Sequence, residues 1–394
     1  MPTIILRHIT LKTTSVQNGE YSIRRATIPE AFPAQNLADT RHTAPMHTRS
    51  EQADREYILD DLSLTIRNGE TLSILGPSGC GKTTLLKVIA GLIKPDSGEI
   101  LYDSKPIYET PMAERGIGMV FQNYALYPHL EARDNIGFYD LIRKQPEKIP
   151  ERIRNIVEIM GVEIEHLLSR KPPTLSGGEQ QRIAIARCLA RDPQLFLFDE
   201  PLSNLDAKLR VETRIQLKRL LRHYSITSVY VTHDQTEAVA LADRIAIMSA
   251  GRIIQSGTYQ ALYNTPTNAF VAQFFGTPGM NLFPGRAYEG TWRGKSFSID
   301  PIRSDLQPGQ AVLLGIRPEH ITLANSDTGI PAEIELVEPV LTQHRQLLYM
   351  KIAGQRTVAS IPSDIAIPRS GRIYVQFDRN NIHLFDQQTG ARIR

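Results

Sequence analysis

Cysteine is scarce in this chain: two in 394 residues, Cys80 and Cys188. They lie far apart, in neither a disulfide framework nor a metal-ligand spacing, and so suit a reducing compartment. Long apolar runs are missing as well. No stretch approaches the roughly 18 apolar residues in a row that a membrane-spanning helix needs. The opening residues, Met-Pro-Thr-Ile-Ile-Leu-Arg-His, lack the basic start and apolar core of a secretory signal, and the expected setting is cytosolic. An excess of one charge is also absent. Forty-five basic residues against 42 acidic ones leave a net charge of +3, which is no electrostatic footprint for nucleic acid. What remains, 41% apolar and 22% charged residues, is ordinary globular material in a length that calls for two or three domains.

The stretch that organises the rest is Gly76-Pro77-Ser78-Gly79-Cys80-Gly81-Lys82-Thr83-Thr84. A short apolar run, Leu72 to Leu75, precedes it as a buried strand, and residues 85–92 follow with helical apolar spacing. A glycine-rich turn between a strand and a helix start cradles phosphate, because backbone N–H groups and the positive end of the helix dipole face the anion. Lys82 is placed to reach the β- and γ-phosphates, and the Thr83 hydroxyl to bind Mg²⁺.

Residues 3–12 read as a strand. From about Thr13 to Arg55 the texture turns polar, with no sustained period. This is either an interaction arm or an insertion tolerated on the surface. Order returns at Tyr57–Ile66. Gly116–Gln122 is a further buried strand with Gln122 at its end, and residues 124–173 read as a helical subdomain suited to docking.

Leu175-Ser176-Gly177-Gly178-Glu179 opens the next helix. Ser176 with Glu179 is a capping box, which stabilises any helix. The two glycines need another reason, since each costs roughly 1 kcal/mol in a helix. A second phosphate approaching a second helix N-terminus would supply one.

Leu195–Phe198 is a continuous apolar run ending in Asp199 and Glu200. Charge there is poorly explained by packing. Asp199 suits a Mg²⁺ shell and Glu200 the polarisation of an attacking water. His233 likewise follows an apolar strand, at the edge where open α/β sheets place ligand groups. Leu209, Leu217, Leu220 and Tyr224 form the expected core stripe of an intervening helix. Beyond Gly276-Thr277-Pro278-Gly279 short strands recur at close spacing, which predicts a small β-barrel or sandwich.

Taken in order, these pieces resemble the ATP-binding subunits of ABC transporters. The resemblance rests on GPSGCGKTT at 76–84, Gln122, LSGGEQQR at 175–182, LFLFDEP at 195–201, SNLDAKLR at 203–210 and VTHDQTEA at 231–238. Residues 270–281 and Gly315-Ile316-Arg317-Pro318-Glu319-His320 are similar to the carbohydrate-importer branch, which resembles the maltose importer ATPase. Iron, sulfate and polyamine importers share much of that tail.

The resemblance implies an α/β P-loop ATPase domain over 1–278, with 13–55 as an atypical insertion and 124–173 as the helical subdomain. An all-β OB-like regulatory domain would cover 279–394. The expected ligands are ATP and Mg²⁺. Glu200, His233 and Gln122 would be catalytic, and Thr83, Gln122 and Asp199 would face the metal. Ser176, Gly177, Gly178 and Glu179 would act on the partner copy's nucleotide, with Asp206 in the adjoining loop. Two ATPase copies, identical or not, would join two membrane permease subunits and an extracytoplasmic solute-binding protein at the cytoplasmic face of the membrane. No nucleic-acid partner is expected, although related cores power soluble nucleic-acid ATPases. The aromatic that stacks on adenine is open between Tyr21, the preferred one, and Tyr57.

Overall fold

The computed structural model describes residues 2–17, 56–302, 306–325, 329–368 and 370–393. It divides into two compact units, Met1–Thr258 and Tyr259–Arg394.

The first unit begins with β1 (Ile4–Lys12) and one helical turn, α1 (Thr13–Gln17). Antiparallel to β1 runs β2 (Tyr57–Ile66), paired from Ile4 opposite Ile66 to Lys12 opposite Tyr57. The Thr13 N–H donates to the Glu56 carbonyl at 2.9 Å. Thr13 and Glu56 therefore meet at the open end of the β1–β2 pair, in the place of a hairpin turn, where added sequence length costs little. Tyr21 and the rest of 18–55 lie outside the described residues.

Next come β3 (Thr71–Leu75), α2 (Lys82–Ile89), β4 (Ser97–Tyr102), β5 (Lys105–Pro106) and β6 (Ile117–Val120). The helical region holds α3 (Ala132–Ile136), α4 (Phe138–Ile142) and α5 (Ile149–Met160). Then follow α6 (Gly177–Leu189), β7 (Leu195–Asp199), α7 (Ala207–Tyr224), β8 (Thr227–Thr232), α8 (Gln235–Leu241), β9 (Arg244–Ser249) and β10 (Arg252–Gly257).

Among the described residues, β2-β1-β4-β5 form an antiparallel sheet and β10-β9-β3-β8-β7-β6 a larger one. The larger sheet is parallel except where β10 meets β9. β7 and β8 are buried on both faces, so alternate residues serve different cores. Leu195, Leu197, Val229 and Val231 pack with α2 and the antiparallel sheet, while Phe196, Phe198 and Tyr230 face α3, α5, α6 and α7.

The stripe expected on α7 is met except at its end: Leu217 is buried, Leu209 and Leu220 pack half-buried against the same core, and Tyr224 is 37% exposed, while Thr213 and Leu221 complete the inward line. The inward line repeats every four residues and includes a threonine, which an apolar pattern passes over.

The second unit starts earlier than the expected 278/279 boundary, because two short helices belong to it: α9 (Tyr259–Asn264) and α10 (Ala269–Phe274). Arg317, almost wholly buried, supplies the reason. It donates to the carbonyls of Ala272 at 2.9 Å, Phe275 at 2.6 Å and Tyr263 at 2.8 Å, and stacks 3.9 Å from the Tyr263 ring centre. One guanidinium thus satisfies orphan carbonyls at the C-terminal ends of both helices. The tail itself forms two antiparallel sheets among the described residues, closed over a core that includes Phe283, Trp292, Leu314, Met350 and Phe377.

Candidate functional site

The register of the parallel sheet sets the site. Leu75 lies opposite Thr232, Asp199 opposite Val231, and Val120 opposite Phe198. The residues that follow these strands, Gly76, His233, Glu200 and Gln122, therefore emerge along one edge. Carboxyl ends of parallel strands are where open α/β sheets bind ligands.

The phosphate loop is shaped by close neighbours. Gly81, at φ +105°, precedes α2, and a Cβ there would lie 2.8 Å from the Ile58 carbonyl oxygen. A Cβ on Gly76 would lie 2.2 Å from the Met248 carbonyl oxygen. Glycine is required at both positions by packing as well as by any ligand. The Lys82 ammonium is buried and donates to the carbonyls of Gly76 at 2.9 Å and Pro77 at 3.0 Å. The two carbonyl dipoles hold the buried charge.

Across the edge, the Thr83 hydroxyl donates to Asp199 Oδ1 at 2.9 Å. Burial pushes the Asp199 carboxyl above its ordinary range. Glu200 turns out of β7 with φ +44°, a left-handed conformation that aims its side chain back toward β8. Its Oε2 lies 3.0 Å from His233 Nδ1. Glu200 is largely covered and His233 is exposed. Gln122 is exposed, and its carbonyl accepts from Asn204 Nδ2 at 3.0 Å. Asp206 caps α7 by accepting the Leu209 N–H at 3.0 Å.

At α6 the capping box is present: Ser176 Oγ accepts from the Glu179 N–H, and Glu179 Oε2 accepts from the Ser176 N–H at 2.7 Å. Arg170 lies 3.2 Å from the other Glu179 oxygen, and the Glu179 carboxyl sits below its ordinary range, chiefly through the Ser176 backbone bond. The two glycines separate here. A Cβ on Gly178 would meet Leu209 Cδ2 at 2.5 Å, so that side chain would have to shift to admit one, a packing reason for glycine that stands beside the expected close approach of a ligand. Around Gly177 the nearest atom is 3.4 Å away, at Leu205, so packing does not require that one.

Of the two aromatic candidates, Tyr21 lies outside the described residues. Tyr57 is half-buried at the start of β2, with the Lys12 ammonium 5.8 Å from its ring centre. It adjoins Ile58, whose carbonyl abuts Gly81.

Two groups behind the site lie within the quoted motifs 203–210 and 231–238, yet the motifs alone assign them no role. Glu237 is 3% exposed and accepts from the Tyr230 and Thr232 hydroxyls, each at 2.9 Å. Arg210 donates to the Leu205 carbonyl at 2.8 Å. The one sequence hint is Asp234-x-x-Glu237 at a helix start, where Asp234 indeed caps α8.

A phosphate cradle, a buried lysine and paired carboxylates at the end of a neighbouring strand define a P-loop ATPase. The comparisons specify it. Residues 59–203 match the ABC transporter family model, and residues 276–321 match the MalK OB fold domain. An uncharacterized ABC transporter ATP-binding protein of Sinorhizobium fredii is 45% identical, with 85% of this chain and 91% of the relative aligned. An sn-glycerol-3-phosphate import ATP-binding protein of Psychromonas ingrahamii is 42% identical over 84% of this chain and 90% of its own. A trehalose/maltose import ATP-binding protein of Thermococcus litoralis is 40% identical over 84% and 94%. The chain belongs to the ABC transporter ATP-binding proteins: it is an ATPase with a C-terminal OB-type domain.

Proposed function

We propose that this protein is the ATP-hydrolysing subunit of an importer for a carbohydrate or a related polyol phosphate. The observation that carries the reading is the OB match behind the ATPase core, together with import proteins aligned over most of both chains.

In this reading two copies face each other head to tail. Each ATP lies between residues 76–84 of one copy and 176–178 of the other. Lys82 exchanges the Gly76 and Pro77 carbonyls for the β- and γ-phosphates. Glu200 accepts the proton of the attacking water, while His233 keeps its carboxylate aimed. The residues at the edge suit Mg²⁺: the Thr83 hydroxyl, the Asp199 carboxylate and the Gln122 side chain are oxygen donors. A cation there would relieve the burial penalty on Asp199. Bound Mg²⁺ would neutralise charge on the phosphates.

Gly177 and Gly178 offer a direct comparison. Gly178→Ala should cost about 1–3 kcal/mol of stability through overpacking against Leu209. Gly177→Ala should stay within about 0.5 kcal/mol of wild type yet lower turnover about tenfold or more, because its Cβ meets the partner's nucleotide. Denaturant midpoints and ATPase rates of the two variants decide it; wild-type turnover in Gly177→Ala would contradict the shared site.

The surface beside Gln122 suits a permease. A groove of about 420 Å³ lies between the sheet edge and the helical region, lined by Leu92, Met112, Phe121, Tyr139 and Ile142 among others. Met112 is 55% exposed and Ile142 66%. An apolar cleft of this kind fits an inserted helix. Affinity purification from membranes should bring along two integral membrane subunits, and the reconstituted complex with its binding protein should take up a labelled carbohydrate or polyol phosphate. Recovery of nucleic acid with no membrane subunit would contradict the importer reading.

A further inference from the structure

Behind Glu200 and His233 lies a small cavity of about 40 Å³, lined by Glu200, Ser203, Arg210, Thr232, His233, Asp234 and Glu237. One water needs about 10–15 Å³ of space of this kind and at least two polar partners. This cavity has the size and the polarity.

Arg210 needs such a bridge, and Glu237 stands where one would reach. Arg210 Nε is shielded from solvent and has no hydrogen-bond partner among the described residues. It stands 3.9 Å from Glu237 Oε1, too far for a direct bond and suited to one intervening water. The other Glu237 oxygen is already taken by Tyr230 and Thr232, so that carboxylate cannot shift toward the arginine without losing both. Arg210 is fixed at its far end too, by Nη2 on the Leu205 carbonyl. Ser203 Oγ donates to the Glu200 carbonyl at 2.9 Å, which ties the floor of the cavity to the residue that carries the reacting carboxylate.

We propose that Arg210 and Glu237 are positioning residues that, through one trapped water, couple the loop 203–206 to the Glu200–His233 pair. The loop's geometry is passed from the Leu205 carbonyl along Arg210 to the water, and from it to Glu237 and the walls that hold Glu200 and His233. Movement of 203–206 when a second copy docks would then alter the aim of Glu200 without touching nucleotide. This rests on the assignment of Glu200 and His233 to hydrolysis.

The test uses the full chain. Glu237→Gln keeps the shape of the side chain, and Arg210→Met keeps much of the arginine stem. Each should lower kcat about 10- to 100-fold, the usual result of misplacing a reacting group by an ångström. KM for ATP should stay within about twofold, since neither residue touches nucleotide. The double variant should lose little more than either single one, because one shared link is broken in every case. A merely structural role would lower thermal stability and leave kcat per folded molecule unchanged. A crystal structure of the wild-type chain should show a water within hydrogen-bond reach of both Arg210 Nε and Glu237 Oε1. This second measurement stands even if a variant does not fold. Wild-type kcat in both folded variants, or a direct Arg210–Glu237 bond with no water, would overturn the coupling while leaving the ATPase assignment intact. A wild-type chain that does not hydrolyse ATP would overturn both.

Discussion

Glu200→Gln is expected to cut ATP turnover about 10²- to 10⁴-fold, the usual worth of a general base. ATP affinity should change little, because the residue faces the attacking water rather than the phosphates. The structure gives the substitution a clean context. Glutamine keeps the hydrogen-bonding reach to His233 Nδ1, 3.0 Å from Glu200 Oε2, while removing the acceptor of the proton. The left-handed backbone at Glu200 is borne by the wild type already and is unchanged by an isosteric side chain. Single-turnover hydrolysis beside equilibrium ATP binding separates the two quantities. Near wild-type turnover would remove Glu200 from the role of base.

Ser176→Arg is expected to abolish turnover, by about 10²-fold or more, while leaving ATP binding to a single copy intact. Ser176 caps α6, so the change also carries a stability cost of about 1 kcal/mol for the lost cap. A further few tenths come from a cation at the positive end of the helix dipole. That is small beside the stability of an ordinary domain. An inactive but folded variant would therefore not be explained by the capping box. Mixing Ser176→Arg with Lys82→Ala offers the sharper reading. In a head-to-tail heterodimer one composite site has an intact lysine from one copy and an intact serine from the other, so partial activity should return. Two folded variants that recover nothing on mixing would place Ser176 on its own chain's nucleotide.

The sheet edge was legible in the sequence because fully buried parallel strands are short apolar runs, and a polar residue that stops such a run stands at its end. Asp199, Glu200, Gln122 and His233 all announce themselves in this way. Arg210 and Glu237 do not. Each sits on an amphipathic helix, where a charged residue ordinarily marks the wet face, and only tertiary packing turns these two inward. The neighbour that crowds Gly178 is hidden for a related reason. The closeness of α6 and α7 at Leu209 is a property of two helices distant in sequence, whereas a glycine in a motif is visible by itself. The domain boundary was drawn at Gly276-Thr277-Pro278-Gly279 because turn residues are local. The contact that assigns α9 and α10 to the tail comes from Arg317, 45 residues beyond Ala272. The adenine partner stays open between Tyr21 and Tyr57, since Tyr21 lies in the excursion after Lys12, outside the described residues.

In the proposed mechanism two copies of this chain share two ATP sites. The most direct measurement is the mass of purified Glu200→Gln in solution, by analytical ultracentrifugation, with and without ATP and Mg²⁺. A single-copy species is expected without nucleotide and a two-copy species with it, holding two unhydrolysed ATP molecules that exchange only as the dimer opens. A variant that binds ATP stoichiometrically and keeps the mass of one copy at every concentration tested would contradict it.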